Sequence, residues 1–430
     1  MRKKSFCLLT YGCQMNEYDS RLIAEILSKD GYKEVKDESK ADIIIMNTCS
    51  VRKHAEQRVV GRTGDLQRLR EDKPDLIIGL VGCMAQNLID KGEKIKGVDF
   101  MVGPDNYEEI PRIIDGLDSL ARVIKKEKTI LYEGVYGRQD NSVSAFVPVM
   151  RGCENFCTYC IVPYVRVGLQ MRSSKDILNE VKGLLKKGIK EIILLGQSVN
   201  QYDSSKVDFP EILKMVSETS VSRLGFFTSH PYYTTQKLID VIAGAENIYK
   251  WIHLPLQSGS NKILKKMNRK YTKEKYMELI YKTREKIPNI SLTTDIIVGF
   301  PGETDKDFQE TMEVMKKIQF DFAYMFKYSD RERTTAYNLK PKIPELVKTK
   351  RLSELIEIQH KIIRIKNEQL IGTTQEVLVE YKGRKHNGWR GKTKQNKIVV
   401  VEGKTLPGEI VKVKITGLKG WTPVGEIIKD

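Results

Sequence analysis

Short apolar runs alternate with stretches of helical periodicity in the first part of this 430-residue chain. The runs 5–10, 42–46 and 76–81 predict β-strands, and 42–46 is apolar almost throughout, as in a parallel strand buried on both faces. An apolar stripe between the first two runs predicts a helix that Asp19 or Ser20 is expected to cap. This alternation predicts an open parallel α/β domain at the amino terminus.

Each of these three predicted strands is followed by a cysteine, at Cys13, Cys49 and Cys83. The carboxyl ends of parallel strands meet at one edge of an open α/β sheet, where ligands bind. The three thiols are therefore expected to converge, although any one of them alone would be interpreted as a buried structural cysteine. Their matching positions favour a cluster site. Cys7 lies inside its predicted strand and is interpreted as a core residue.

The middle of the chain contains six further apolar runs, each followed by a short polar or glycine-rich stretch and separated by helical periodicity. They are 145–150, 191–195, 224–228, 251–254, 292–298 and 322–328. This repetition predicts a partial (β/α)6 barrel of the TIM type, with its active site at the carboxyl ends of the strands. The number of runs does not support a full eight-stranded barrel.

The first barrel strand leads into a local triad, Cys153, Cys157 and Cys160, with C-x3-C-x2-C spacing. A structural zinc site takes four ligands, and no fourth cysteine or histidine is close in the sequence. His230 and His253 belong to other strands and are interpreted as structural residues. A [4Fe–4S] cluster is normally held by four thiolates, so a triad leaves one iron open to another ligand.

The composition indicates a basic globular protein. Lys and Arg number 73 against 56 Asp and Glu, a net charge of +17, which suits a polyanionic partner but also a well-solvated basic surface. No apolar stretch approaches the length of a membrane span, and no secretion signal is apparent. A cytoplasmic location without membrane partners is therefore predicted, where cysteines more often bind metals or react than form disulfides.

The carboxyl terminus predicts a small basic β-domain. Pro344 opens a long charged helix that is expected to end near Gly372, and the segment 372–430 holds twelve Lys and Arg against six Asp and Glu. Basic side chains beside an aromatic ring suit single-stranded RNA, and a solvated hairpin with Trp389 in its core is the alternative. The candidate RNA-binding residues are Arg384, Lys385, Trp389, Arg390, Lys392, Lys394 and Lys397.

The sequence therefore predicts four divisions of the chain. They are an amino-terminal domain 1–118, a linker 119–142, a barrel 143–371 and a β-domain 372–430.

The C-x3-C-x2-C loop on a partial barrel resembles the signature of the radical S-adenosylmethionine (SAM) superfamily. Further motifs resemble the methylthiotransferases, in particular the branch that acts on isopentenyl-adenosine in tRNA. The matching segments are 11–16, 47–52, 81–86, 158–166, 254–260 and 295–301. The resemblance covers nearly the whole chain, and the carboxyl-terminal segment resembles a TRAM domain, a small RNA-binding β-barrel.

This resemblance implies two [4Fe–4S] clusters and SAM as cofactors. The radical SAM cluster would be held by Cys153, Cys157 and Cys160, and the auxiliary cluster by Cys13, Cys49 and Cys83. In the family, one SAM methylates a sulfide on the auxiliary cluster. A second SAM yields a 5′-deoxyadenosyl radical that removes hydrogen from C2 of an adenine, where the methylthio group is inserted. The implied SAM contacts are Tyr159, Gly196, Gln197, Gln257, Asp295 and Gly299.

The resemblance also implies partners. They are the tRNA anticodon loop, with N6-isopentenyladenosine at position 37 as the target, and an electron donor such as a flavodoxin or ferredoxin. The alternatives within the family are threonylcarbamoyl-adenosine of tRNA and an aspartate of a ribosomal protein. From a different class, the chain could be an RNA-binding iron–sulfur protein without methylthiotransferase activity, or a relative that has lost turnover.

Two places depart from the family pattern. After Arg166 the family usually has Gly-Arg-Glu-x-Ser-Arg, whereas the segment 167–172 reads Val-Gly-Leu-Gln-Met-Arg, which puts polar contacts near SAM or the target base in doubt. Arg333 stands where the family usually has glycine. Because arginine resists a positive φ, a distorted turn is expected there.

Overall fold

The computed structural model describes residues 4–50, 53–116, 132–138, 142–166, 168–383 and 388–428. These residues form an open α/β sheet, a partial barrel and a small closed barrel, in that order along the chain. The predicted fold class is confirmed.

The amino-terminal domain is a five-stranded parallel sheet covered by helices. Its elements are β1 Ser5–Tyr11, α1 Gln14–Lys29, β2 Lys33–Glu34, β3 Ile43–Thr48, α2 Lys53–Asp72, β4 Ile77–Val81, α3 Cys83–Lys91, β5 Phe100–Val102 and α4 Ile110–Asp115. The strand order is β2-β1-β3-β4-β5. Ile43 and Ile45 of β3 pack into one helix layer, and Ile44 and Met46 pack into the other. Burial on both faces explains why this strand lacks polar alternation.

The first helix differs from the sequence expectation. It begins at Gln14 with Cys13 as its N-cap, and neither Asp19 nor Ser20 caps it. Both residues lie inside the helix and are buried. The expectation was wrong because a buried aspartate with distant ion partners has the same sequence appearance as a helix cap.

The central domain contains six principal parallel strands in two three-stranded sheets. Its elements are β6 Ser144–Pro148, β7 Met150–Arg151, α5 Val162–Val165, β8 Gln170–Met171, α6 Ser174–Lys186, β9 Glu191–Leu195, β10 Asp203–Ser204, β11 Val207–Asp208, α7 Phe209–Ser217, β12 Arg223–Phe226, α8 Gln236–Gly244, β13 Trp251–His253, α9 Asn261–Lys266, α10 Lys273–Lys286, β14 Ser291–Val298, α11 Asp305–Ile318, β15 Phe322–Lys327 and α12 Glu345–Glu368. The sheets are β6-β9-β12 and β13-β14-β15. One side of these strands packs on the helices in the largest hydrophobic core, and the other side lines the interior of the partial barrel.

The carboxyl-terminal domain is a closed barrel. Its strands are β16 Thr374–Lys382, β17 Trp389–Thr393, β18 Ile398–Glu402, β19 Ile410–Lys419 and β20 Thr422–Ile427, in the order β16-β17-β18-β20-β19. The β-rich runs 376–380, 398–402 and 410–415 of the sequence predict β16, β18 and β19, whereas no run predicts β17 or β20. The domain docks on the amino-terminal ends of the central strands, where Lys392 meets Glu191 at 3.0 Å and Glu376 meets Arg223. The small barrel therefore covers the end of the central barrel opposite its predicted mouth.

Part of the predicted linker is well packed. Tyr132 stacks on Tyr107 with 6.0 Å between ring centroids, and Tyr136 donates a 2.8 Å hydrogen bond to Asp176 of α6. The segment 132–138 thus touches both large domains, while 117–131 and 139–141 lie outside the described residues. None of the helices formed by the described residues is long and apolar enough to cross a bilayer.

Candidate active site

The amino-terminal triad lies at one edge of the open sheet. Cys13 follows β1, Cys49 follows β3 and Cys83 follows β4, and these are three adjacent strands. A hydrogen bond from Cys49 lowers the pKa of Cys13 to about 6 despite burial, while burial raises the pKa of Cys83. A Cβ at Gly12 would lie 2.8 Å from Cys49 Cβ, so only glycine allows this close approach. Because β1, β3 and β4 are adjacent and parallel, the cysteines that follow them lie at the same edge of the sheet.

The second triad lies in the loop after β7. Cys157 is buried and accepts a 3.4 Å hydrogen bond from Arg269 Nη1, and Asn155 Nδ2 donates to Cys153 Sγ at 3.2 Å. Burial raises the pKa of Cys160 to about 12. A Cβ at Gly152, where φ is +77°, would lie 1.6 Å from the carbonyl oxygen of Gly168. The entry to the loop therefore requires glycine.

The segments that carry the two triads are in contact across the interface of the first two domains. Cys83 packs with Ile161, the residue after Cys160, and with Val165. Cys13 and Met15 pack with the residues that line the inside of the central barrel, among them Ile193, Leu195, Tyr249 and Trp251. The first triad therefore borders the barrel interior, and through Cys83 it contacts the segment that follows the second triad.

Among the described residues, no three His, Cys, Asp or Glu side chains are close enough to hold a single metal ion. A [4Fe–4S] cluster does not require such convergence, because each thiolate binds a different iron. The donor set of two thiol triads, with polar residues oriented toward them, fits iron–sulfur clusters.

A buried ion network joins the two triads. Asp19 of α1 accepts hydrogen bonds from Arg151 Nη2 and from Arg166 Nη2, the latter at 2.7 Å. Tyr107 OH donates to the same carboxylate at 3.2 Å. Arg166 also contacts Cys83. Because Arg151 and Arg166 flank the second triad, this aspartate fixes the position of one cysteine loop relative to the other.

Sequence reasoning missed this network and the support of the second triad. Asp19 was interpreted as a helix cap, and Arg151, Asn155 and Arg269 were not singled out. The proximity of Arg151 and Asn155 to the cysteine loop was the available signal. Arg269 follows a different strand, and nothing in the sequence places it beside Cys157.

Among the described residues, four buried polar atoms near the barrel mouth have no hydrogen-bond partner: Gln197 Oε1, Ser198 Oγ, Ser229 Oγ and Gln257 Oε1. They follow the carboxyl ends of β9, β12 and β13. A buried polar atom without a partner is costly, and a bound ligand or water would remove that cost. SAM, with its amino, carboxylate and ribose groups, is a ligand that would satisfy them.

The other predicted SAM residues lie at the same mouth. Tyr159 packs with Ile297 beside the cysteine loop, and Gly196 follows β9 directly. Asp295 Oδ2 lies 3.4 Å from His253 Nε2. Gly299 follows β14, and its N–H donates to Glu303 at 2.6 Å. Gln257, at φ +70°, hydrogen-bonds through its backbone to Asp295 and Ile297. The fold brings these residues to one end of the barrel, while their contact with SAM stays a prediction.

His230 and His253 are both buried. Burial lowers the pKa of His230 to about 2, with further lowering from Arg269 and Lys270, and its Nδ1 accepts a 3.2 Å hydrogen bond from Tyr232 N–H. His253 meets Thr293 at 3.0 Å and Asp295 at 3.4 Å inside the barrel.

The predicted RNA-binding residues separate into three groups. Arg384 and Lys385 lie outside the described residues. Trp389 packs partly on the core of the small barrel, and Arg390 lies over the Tyr381 ring at 5.5 Å. The remaining lysines form ion pairs with the central domain: Lys392 with Glu191, Lys394 with Glu246 at 3.1 Å and Lys397 with Asp321 at 2.8 Å. These pairs favour a docking role for the three lysines, and RNA contact by this set stays a prediction.

The two departures from the family pattern have different outcomes. Arg333 does adopt φ +72°, so the turn is kept. Its guanidinium binds Asp90 of α3 at 2.8 Å and the Tyr164 carbonyl at 3.2 Å, which ties the turn to the amino-terminal domain and to α5 of its own domain. In the other departure, Val167 lies outside the described residues, and the one charged residue of the family pattern that is kept, Arg172, is buried and donates to Glu180 at 2.6 Å.

Three family descriptions match the chain. Residues 5–103 match "Uncharacterized protein family UPF0004", residues 147–315 match the "Radical SAM superfamily" and residues 368–428 match the "TRAM domain". The three matches follow the three domains of the fold in order.

Curated relatives match over nearly the full length. The tRNA-2-methylthio-N(6)-dimethylallyladenosine synthase of Thermoanaerobacter pseudethanolicus is 43% identical, over 98% of this chain and 92% of its own. Proteins of the same name from Carboxydothermus hydrogenoformans and Clostridium botulinum (strain Hall) are 43% and 42% identical, over 97% and 98% of this chain and 97% of their own. The chain belongs to this synthase family. Because this family is part of the radical SAM superfamily, its members use a [4Fe–4S] cluster and SAM.

Solved structures show the same fold at low identity. The radical SAM methyltransferase TsrM from Kitasatospora setae, with cobalamin and a [4Fe–4S] cluster bound, aligns with a TM-score of 0.57 and 13% identity, over 87% of this chain and 77% of its own. The cobalamin-dependent radical SAM enzyme OxsB aligns with a TM-score of 0.54 and 12% identity, over 84% of this chain and 58% of its own. Both likenesses concern the fold alone.

Proposed function

We propose that this synthase-family protein inserts a methylthio group at C2 of N6-isopentenyladenosine at position 37 of tRNA, with two [4Fe–4S] clusters. The observation that carries the proposal is the contact of the first cysteine triad with both the barrel lining and the segment that follows the second triad. Cys13 packs with residues that line the barrel, and Cys83 packs on the residue after Cys160. A second triad in such a position supports sulfur insertion over a radical reaction alone, because the sulfur donor must reach the same carbon atom as the radical.

Cys153, Cys157 and Cys160 would hold the cluster that binds SAM, and Cys13, Cys49 and Cys83 the auxiliary cluster. A cluster held there would, with SAM and one electron from a donor protein, supply the radical chemistry needed to remove hydrogen from an aromatic carbon that no side-chain base can deprotonate. Asn155 and Arg269 would orient the thiolates through their hydrogen bonds.

The remaining residues would bind and position the reactants. Gln197 and Gln257 have buried amide oxygens available for polar groups of SAM. Asp19 would hold the two cysteine loops at a fixed position relative to each other through its ion pairs with Arg151 and Arg166. The small barrel closes the far end of the interior through Lys392 and Glu191, which would limit the access of water to a radical.

The proposed partners are the anticodon loop and a one-electron donor. The TRAM domain and the tRNA-directed names of the relatives support an RNA substrate. A nucleotide in a loop can be turned out of its stack, as chemistry on a base requires. A flavodoxin-type or ferredoxin-type protein is the proposed electron source, and the cytoplasm the proposed location.

The test is anaerobic reconstitution with iron, sulfide, SAM, a strong reductant and tRNA carrying isopentenyladenosine, followed by mass spectrometry of nucleosides. We expect 2-methylthio product and 5′-deoxyadenosine from the unaltered protein. Cys153→Ala should abolish both products, whereas Cys49→Ala should still form 5′-deoxyadenosine without methylthio product.

Cys7→Ala is the matched control, because Cys7 is a buried cysteine of the same domain that lies inside β1, away from the triads. It should retain the iron content and both products. Methylthio product from Cys49→Ala would contradict the two-cluster assignment. Neither product from fully iron-loaded protein would favour an RNA-binding iron–sulfur protein or an inactive relative.

A further inference from the structure

Three large aromatic side chains on the edge strand β15 are exposed. Phe322, Tyr324 and Phe326 are 41%, 48% and 44% exposed, while Ala323 between them is buried. We call these three residues the aromatic strip. Exposed aromatic residues in a row are unusual for a soluble surface and indicate a binding surface.

The aromatic strip faces the interior of the barrel. In the parallel register, Phe322 lies beside Thr293, Tyr324 beside Asp295 and Phe326 beside Ile297. Side chains at paired positions share one face of a sheet, and alternate residues of each strand point to the other face. The opposite face carries Ala323 and Ile296, which pack into the helix-covered core. The ring of His253, which also lies inside the barrel, meets Tyr324 at 5.8 Å.

The strip runs between the two functional ends of the barrel. Phe322 follows Asp321, which binds Lys397 of the small barrel at 2.8 Å. Phe326 lies beside Ile297, which packs in one cluster with Tyr159 of the cysteine loop. A nucleotide that lies against the strip would therefore be close to the radical SAM loop.

The charge of this face restricts the kind of chemical group that can bind against the aromatic strip. On the inward face of β13, β14 and β15, Asp295 is the one acidic residue, His253 lies beside it, and no lysine or arginine is present. Lys327 points to the other face, where it binds Glu345 at 2.5 Å. An anionic group placed here would meet a carboxylate without a compensating cation, which is unfavourable. An apolar group would instead cover aromatic surface.

We propose that the aromatic strip binds the apolar N6 substituent of the target adenine and selects against anionic N6 substituents. This inference rests on the proposed function and names the residues that set its specificity. Aromatic walls suit such a task because they present a large apolar surface that loses little conformational freedom on binding.

The test is equilibrium binding of the reconstituted full-length protein to three anticodon stem-loop RNAs, measured by fluorescence anisotropy. The RNAs carry adenosine, N6-isopentenyladenosine or N6-threonylcarbamoyladenosine at the target position. We expect the unaltered protein to prefer the isopentenyl loop over the adenosine loop by about tenfold or more, since burial of a few methyl groups supplies at least this ratio. The threonylcarbamoyl loop should bind no better than the adenosine loop.

The double variant Tyr324→Ala/Phe326→Ala should bind the isopentenyl and adenosine loops equally well. Tyr324→Phe keeps the ring and should keep the preference. Tyr281→Ala is the matched control, because Tyr281 is 49% exposed on the outer helix α10. It should behave as the unaltered protein does.

An unchanged preference in the double variant would overturn the inference. So would sedimentation showing that the strip is covered by a second copy of the chain, with self-association lost in the double variant. Failure of the proposed function is distinguishable, because the unaltered protein would then form no methylthio product from isopentenyl tRNA. If it forms product while the double variant keeps its preference, only the aromatic-strip inference fails.

Discussion

Asp19→Asn tests whether one buried carboxylate holds the two cysteine loops together. Asp19 is fully buried, and the Arg151 and Arg166 side chains are 6% and 3% exposed. The substitution keeps the size of the side chain and removes its charge. Two guanidinium groups would then share one neutral amide, which also receives the hydrogen bond from Tyr107.

The expected cost follows from the geometry. At 2.7 Å, the Arg166–Asp19 pair is worth roughly 6 kcal/mol by Coulomb's law with an effective dielectric constant of about 20, before desolvation is subtracted. Removing one partner of a buried ion pair typically costs about 3–5 kcal/mol, because the other charge stays buried. We expect Asp19→Asn to lower the free energy of unfolding by about 3 kcal/mol. Combined with Arg151→Met, the cost should fall short of the sum of the single costs by about 1 kcal/mol or more.

The assay is urea unfolding of the reduced protein without iron, followed by tryptophan fluorescence. Trp251 is a suitable reporter because it packs in one cluster with Met15 of the amino-terminal domain. Asp65→Asn is the control, since Asp65 is 46% exposed in surface ion pairs and should cost less than about 1 kcal/mol. If Asp19→Asn costs no more than this control, the proposed role of the network is refuted.

Two further predictions concern other buried groups. Lys392→Met leaves the fully buried Glu191 without its cation, so calorimetry should show that the free energy of unfolding falls by about 3 kcal/mol. Lys394→Met should lower it by less than about 1 kcal/mol, because the partner Glu246 is 86% exposed. Similar losses would contradict the docking role of Lys392. Burial lowers the pKa of His230 to about 2, so below pH about 6.5 the unfolded chain binds a proton that the folded protein does not. The free energy of unfolding should therefore fall by up to about 1.4 kcal/mol per pH unit as the pH drops below about 6.5. In His230→Gln, this free energy should depend on pH less steeply, by the contribution of one bound proton. If the variant and the unaltered protein show the same slope against pH, the assignment is contradicted.

Much of the fold could be predicted because its signals are local. The apolar run at 42–46 and the strand at 191–195 were recognised from residue type alone, since burial on two faces removes polar alternation. The β17 and β20 strands were missed because their residues are mixed, TPVGEI in the second case, and only closure of the small barrel makes them strands.

The cysteine triads illustrate what the sequence by itself determined. Each cysteine follows an apolar run, and parallel strands must end at a common edge, so the convergence of Cys13, Cys49 and Cys83 could be predicted without coordinates. The spacing of the second triad is local and needed no tertiary information.

Only the tertiary structure decided which charged residues serve the site and which serve the domain contacts. Asp19 has the sequence appearance of a helix cap, and Lys392 that of an RNA contact, yet their ion partners lie 132 and 201 residues away in the chain. The energy of an ion pair depends on distance and burial in space, and neither quantity is encoded by residue type or local spacing.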